Sequence, residues 1–158
     1  DGSDDRVMNN RRLRWSAVLL FLLAGCSPFA GGYVYDEELV GPYRLTAIDS
    51  LDQMAVYWDV PGGGAVGDGL PGPQVFKAGF DDRYLVAAVH PPRCNFSYNN
   101  CTDLGINSQV TQYWYVIRQA DEAKHLPYQG IKGPFSEAQF TVEKSRLGLP
   151  DFNVAIPK

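Results

Sequence analysis

The chain has little of what most catalytic and ligand-holding chemistry uses. It carries two histidines, three cysteines and two methionines in 158 residues. Its glycine-rich stretch is not followed by Gly-Lys-Ser/Thr, which excludes a Walker-type phosphate cradle. No serine sits in the Gly-x-Ser-x-Gly setting of a nucleophile elbow. The apolar run Trp15 to Ala24 is about half of the roughly 20 residues that a spanning helix needs. Basic residues are few and scattered. Residues 26–158 hold ten Lys/Arg against fifteen Asp/Glu. That balance excludes nucleic acid as a partner and argues against direct adhesion to anionic lipid. No internal repeat is visible.

What is present begins near the N-terminus. Residues 11–26 read Arg-Arg-Leu-Arg-Trp-Ser-Ala-Val-Leu-Leu-Phe-Leu-Leu-Ala-Gly-Cys. A basic head, a short apolar run and small residues at its end have the layout of a secretory signal. Arg11, Arg12 and Arg14 hold its start on the cytoplasmic side. A short transmembrane or buried helix is the rival, and Gly25-Cys26-Ser27-Pro28 immediately afterwards argues against it. Leu23-Ala24-Gly25-Cys26 resembles the lipobox of bacterial lipoproteins. The resemblance implies cleavage before Cys26, lipidation of its sulfur, and anchoring in the bilayer by more than one acyl chain, where one alone is marginal. Ser27 follows the cysteine, not the Asp that resembles an inner-membrane retention signal, so the implied destination is the outer membrane facing the periplasm. On this reading residues 1–7 lie upstream of a start at Met8, 8–25 are the signal peptide, 26–40 a lipid-anchored tether, and 41–158 one globular domain.

With Cys26 taken by lipid, Cys94 and Cys101 remain as one pair in an oxidising compartment, which points to a disulfide. A bridge closing so short a loop contributes about 2–3 kcal/mol on the chain-entropy account. The alternative, a two-cysteine metal site, needs two more ligands, and none lies close in sequence. No cofactor and no metal are expected.

Tyr43–Asp49 and Met54–Val60 read as one hairpin, and Val75–Phe80 with Arg83–His90 as a second around Asp81-Asp82. Between them, Pro61 to Pro73 is too rich in glycine and proline to hold regular structure and reads as a mobile loop. Gln112–Gln119 is apolar on both faces, as a central covered strand would be. Ser136 with Gln139 three residues on forms a capping box, Phe135 and Phe140 stand where a hydrophobic staple closes, and Gly148 and Pro150 end the helix. Phe152–Ile156 is a possible last edge strand. The fold expected is α+β: an antiparallel sheet of about five or six strands with one C-terminal helix, 136–147, packed on one face.

The block Gly79-Phe80-Asp81-Asp82-Arg83-Tyr84, continuing to His90-Pro91, looks like the centre of a group of small bacterial lipoproteins with no assigned activity. Tyr113-Trp114-Tyr115-Val116-Ile117 and Gly133-Pro134-Phe135-Ser136 leading to Phe140 are similar too. The resemblance spans about residues 41–147 and implies a lipid-anchored sheet with one helix.

Asp81, Asp82 and His90 are the candidate ligand-binding residues. Two carboxylates and an imidazole suit acid–base work or a divalent metal. Against this, adjacent acids between two strands are a hairpin tip, where Asp caps its own backbone. Along an extended strand, roughly 23 Å would separate the acids from the histidine. His125 sits in a polar run. The aromatic load, 13% of residues, is core packing for the most part, with an exposed Tyr/Trp face as its functional form. The function expected is a membrane-anchored binding module with a protein or envelope component as partner, an immunity- or inhibitor-type protein being one concrete form, and not an enzyme. An envelope hydrolase or metal-binding enzyme using Asp81, Asp82 and His90 is the alternative.

Overall fold

Strand-forming and turn-forming residues alternate along the chain, and the fold follows that punctuation. A computed structural model describes residues 32–60, 62–67, 69–93, 105–118 and 130–157. Among them lie β1 (Tyr35–Val40), β2 (Tyr43–Ala47), a 3₁₀ turn (Leu51–Gln53), β3 (Ala55–Asp59), β4 (Ala65–Val66), β5 (Val75–Phe80), β6 (Tyr84–Val89), β7 (Gln112–Ile117), β8 (Ile131–Phe135) and α1 (Glu137–Leu147). The strands make two antiparallel sheets, ordered β1-β2-β3-β4 and β5-β6-β7-β8.

In the first sheet the side chains alternate cleanly. Tyr43, Leu45 and Ala47 of β2, and Val56 and Trp58 of β3, are buried on one face. Tyr43 lies opposite Trp58, and their rings meet edge to face at 5.0 Å. Arg44 and Thr46, with Ala55, Tyr57 and Asp59, take the other face, as a period of two requires. The buried face shares one core with Val75, Leu85, Ala87, Val89 and Val116 of the second sheet.

The second sheet is covered on both sides. All six residues of β6 are buried. Leu85, Ala87 and Val89 point to the first sheet, while Tyr84 and Val86 join Tyr115, Phe140 and Leu149 in a second core under α1. That core is largely aromatic. Tyr113 stacks on Phe140 at 5.0 Å and Tyr115 on Phe135 at 5.7 Å. The helix is anchored by its cap: the Gln139 backbone N–H donates to the Ser136 hydroxyl, and the Ser136 N–H donates to the Gln139 side chain. Gly148 closes it in the left-handed conformation at φ 66°, where glycine carries no Cβ penalty.

The α+β class, both hairpins and the C-terminal helix agree with the sequence. The sheet count does not: eight strands in two sheets replace one sheet of five or six. The helix covers one face of the second sheet, and the first sheet covers the other, so 112–117 is the strand covered on both faces that its composition suggests. Residues 35–40, assigned to the tether, form β1, and the compact unit starts at Tyr33. The glycine-rich stretch was expected to lack regular structure, yet Ala65–Val66 pair with Asp59 and Trp58 of β3. Its Leu70 and Pro71 are buried, and the Pro71 carbonyl accepts the Val56 N–H at 2.9 Å. Residues 152–156 are not a strand. They lie along β5, with the Val154 N–H donating to the Ala78 carbonyl at 3.0 Å. The Asn153 amide there both accepts the Phe80 N–H and donates to the Phe80 carbonyl.

Candidate ligand trough on the first sheet

The outer face of the first sheet carries polar groups on rungs set by the strand register. Glu38 lies opposite Arg44, and Arg44 opposite Tyr57. On the next rung Asp36 lies opposite Thr46, and Thr46 opposite Ala55. Arg44 is the hub. Its Nε and Nη2 donate to the two oxygens of Asp36 at 2.9 and 2.7 Å, a two-pronged contact that fixes the guanidinium plane. Nη1 donates to Glu38 at 3.0 Å and lies 3.5 Å from an oxygen of Asp59. The Thr46 hydroxyl donates to Asp36 at 3.1 Å. The Arg44 hydrogen bond holds the Asp36 carboxyl below the usual carboxylate range, and the same bond raises Arg44. On the neighbouring rung of β1, burial and the hydrogen bond to Glu37 push the Tyr35 phenol up to about 12.

Two adjoining concavities open on this face and share Tyr57 and Ala65. The larger, about 640 Å³, is walled by Gln53 and Ala55 on one side and by the glycine-rich segment on the other. The smaller, about 420 Å³, holds Tyr33, Ile48 and the Arg44 group. Glycine is required in the wall for close approach. A Cβ on Gly67 would come within 2.8 Å of the Tyr57 ring, and one on Gly72 within 2.4 Å of the Ala55 methyl. A trough with an aromatic ring between a preset group of charges and a carboxamide has the makeup of a ligand site: mostly shape and apolar contact, with a few fixed polar groups for orientation.

The residues singled out from sequence are placed elsewhere. Asp81 is the hairpin tip: its Oδ1 accepts the N–H groups of Arg83 and Tyr84, both at 2.7 Å. Asp82 is exposed beside it. His90 lies past the other end of β6, stacked on Phe76 with centroids 4.1 Å apart and planes 5° apart. Its Nδ1–H donates to the Val110 carbonyl at 2.9 Å. β6 is paired with β7 along all six residues, so it runs straight between the two ends. The structure does not bring Asp81, Asp82 and His90 together. Among the described residues no three His, Cys, Asp or Glu side chains gather as metal ligands would. Cys26, Cys94, Cys101 and His125 lie outside the described residues.

The trough itself went unread in the sequence. Arg44, Tyr57 and Asp36 are each ordinary strand residues. The available signal was the alternation of β2 and β3, which puts Arg44, Thr46, Tyr57 and Asp59 on the face opposite Leu45 and Trp58. No protein-family model matches the chain, and neither curated proteins nor solved structures show a match to it.

Proposed function

We propose that the chain is a lipid-anchored, extracytoplasmic binding module that takes its partner, a protein or envelope component, in the trough around Tyr57. The observation that carries this reading is the contrast in covering. The outer face of the first sheet is concave, half-polar and crossed by no other described element, whereas both faces of the second sheet are packed. The ion pairs around Arg44 are set before any partner arrives, which lowers the ordering cost of recognition. Anchoring rests on the lipobox resemblance at Leu23-Ala24-Gly25-Cys26. Acylation of Cys26 then places the module on the envelope membrane, the outer membrane being favoured by Ser27. Among the described residues no helix is long and apolar enough to cross a membrane.

Two measurements test the two halves. Affinity purification of the tagged full chain from detergent-solubilised envelopes is expected to retain a partner that the Tyr57→Ala variant loses, with the circular dichroism of the two unchanged. A partner retained equally by both overturns the trough. Cys26→Ala is expected to leave the chain unacylated and released from membranes by a carbonate wash. Persistent acylation of that variant overturns the anchor.

A further inference from the structure

Three apolar side chains lie exposed together at the point where the tether enters the unit, whereas the other large exposed apolar residues among those described are spread over the segment before β7 (Val110), β7 (Ile117) and α1 (Val142). Tyr33 is 54% exposed, Val34 52% and Ile48 44%. They are neighbours: the Val34 N–H donates to the Ala47 carbonyl at 2.9 Å, and Tyr33 and Ile48 line the same concavity. Single exposed apolar residues are ordinary, and a cluster beside a membrane attachment is not. Six residues separate Cys26 from Tyr33, and the seven steps of chain between them, fully extended, reach about 25 Å. An acylated Cys26 therefore keeps this end of the unit within that distance of the lipid surface.

We propose that Tyr33, Val34 and Ile48 form a membrane-docking rim that rests in the headgroup region of the bilayer holding the anchor. The inference rests on the anchor reading above. Tyrosine suits this depth, with an apolar ring and a wet hydroxyl. The patch is too small to hold a protein on a membrane unaided. The tether makes its contact intramolecular, so a weak surface is occupied at high effective concentration. Charge sets the choice of lipid. Asp36, Glu38 and Asp59 outnumber Arg44 beside the rim, so docking is stronger on net-neutral ethanolamine or choline bilayers than on phosphatidylglycerol-rich ones. In this pose the trough opens toward the membrane surface, and its occupant is one presented there.

The test uses the full chain processed in a bacterial host and recovered in its membranes. Ile48 and Val142, the latter 64% exposed on α1, are each replaced in turn by one environment-sensitive fluorescent amino acid. The expected result is that position 48 is quenched by nitroxide-labelled lipid and is severalfold less accessible to aqueous iodide than position 142. Adding Tyr33→Asp should restore iodide access at 48 and leave 142 unchanged. Reconstitution into phosphatidylglycerol-rich vesicles should weaken the shielding relative to phosphatidylethanolamine-rich ones. Equal signals at the two positions, whether both shielded or both open, overturn the docking. Mass spectrometry of the same preparation separates the two failures. An acylated chain with an open position 48 refutes the rim alone, and an unacylated chain refutes the anchor with it.

Discussion

The two sheets are built from similar strands and put to different uses. In the second sheet β6 is buried from Tyr84 to Val89, and its neighbours spend their aromatic rings on one another, Tyr113 against Phe140 and Tyr115 against Phe135. In the first sheet β2 and β3 turn alternate residues to the core and give the opposite face to Arg44, a buried Thr46, Tyr57 and Asp59. The second sheet is a scaffold because it has no free face. The first leaves its outer face open, and the proposed recognition is placed there. Aromatic content alone does not separate the two: of the tyrosines in the described strands, Tyr43, Tyr84 and Tyr115 are buried, and Tyr57 lines both concavities.

The sharpest way to break this contrast is to damage each sheet separately. Leu85→Ala removes a side chain with no exposure, set in the core between the sheets. It should lower stability by about 3 kcal/mol, read as a shift in the urea midpoint, while the surviving folded fraction still binds. Tyr57→Ala should do the reverse, with partner retention lost and the urea midpoint nearly unmoved. If Leu85→Ala abolishes binding in the folded fraction, the division between scaffold and recognition face is wrong.

A smaller effect is expected at the helix. Ser136→Ala removes the hydroxyl that accepts the Gln139 N–H and should cost about 1 kcal/mol, again in the urea midpoint and with no change at the trough. The mildest test is acid. Asp36 is held below its ordinary range by Arg44, so its native form resists protonation more than the unfolded form does. Its contribution is complete at neutral pH, begins to fall at about pH 4, and is lost as the pH drops through the lowered native value. Asp36→Asn should therefore flatten the acid limb of the stability curve and leave the alkaline limb alone. An unchanged acid limb would mean that the Arg44–Asp36 pair does nothing for the native state.

The parts legible in sequence are the parts specified locally. Both hairpins and α1 depend on residues a few positions apart: a 3₁₀ turn at Leu51–Gln53, an Asp at a hairpin tip, and a Ser136–Gln139 box. The parts that escaped depend on distant pairing or on misleading composition. β1 contains Asp36-Glu37-Glu38, which reads as a solvated tether until β2 is there to pair with it. β8 contains Gly133-Pro134, which reads as a breaker, and at the rim of a sheet proline is tolerated. The split into two sheets is set by where the glycine-rich segment carries the chain after β3, and spacing does not encode that. The candidate site failed for the converse reason. Asp81, Asp82 and His90 stand out as residue types, but a straight β6 holds them at its two ends. The trough residues do not stand out as types and converge only once three strands lie side by side.

The C-terminal segment has a consequence for the protein's behaviour in solution. Laid along β5 by Val154 and clamped by Asn153, it occupies backbone groups that would otherwise be a template for a strand from another molecule. The opposite rim of that sheet is interrupted by Pro134, and the outer strand of the first sheet by three consecutive acids. A chain ending before Asp151 would lose this cover, together with Phe152, Val154 and Ile156 at the margins of the two cores. It would polymerise through β5, and light scattering of the truncated protein would rise with concentration while that of the intact chain stayed flat. Residues 152–157 thus act as a built-in guard against self-assembly.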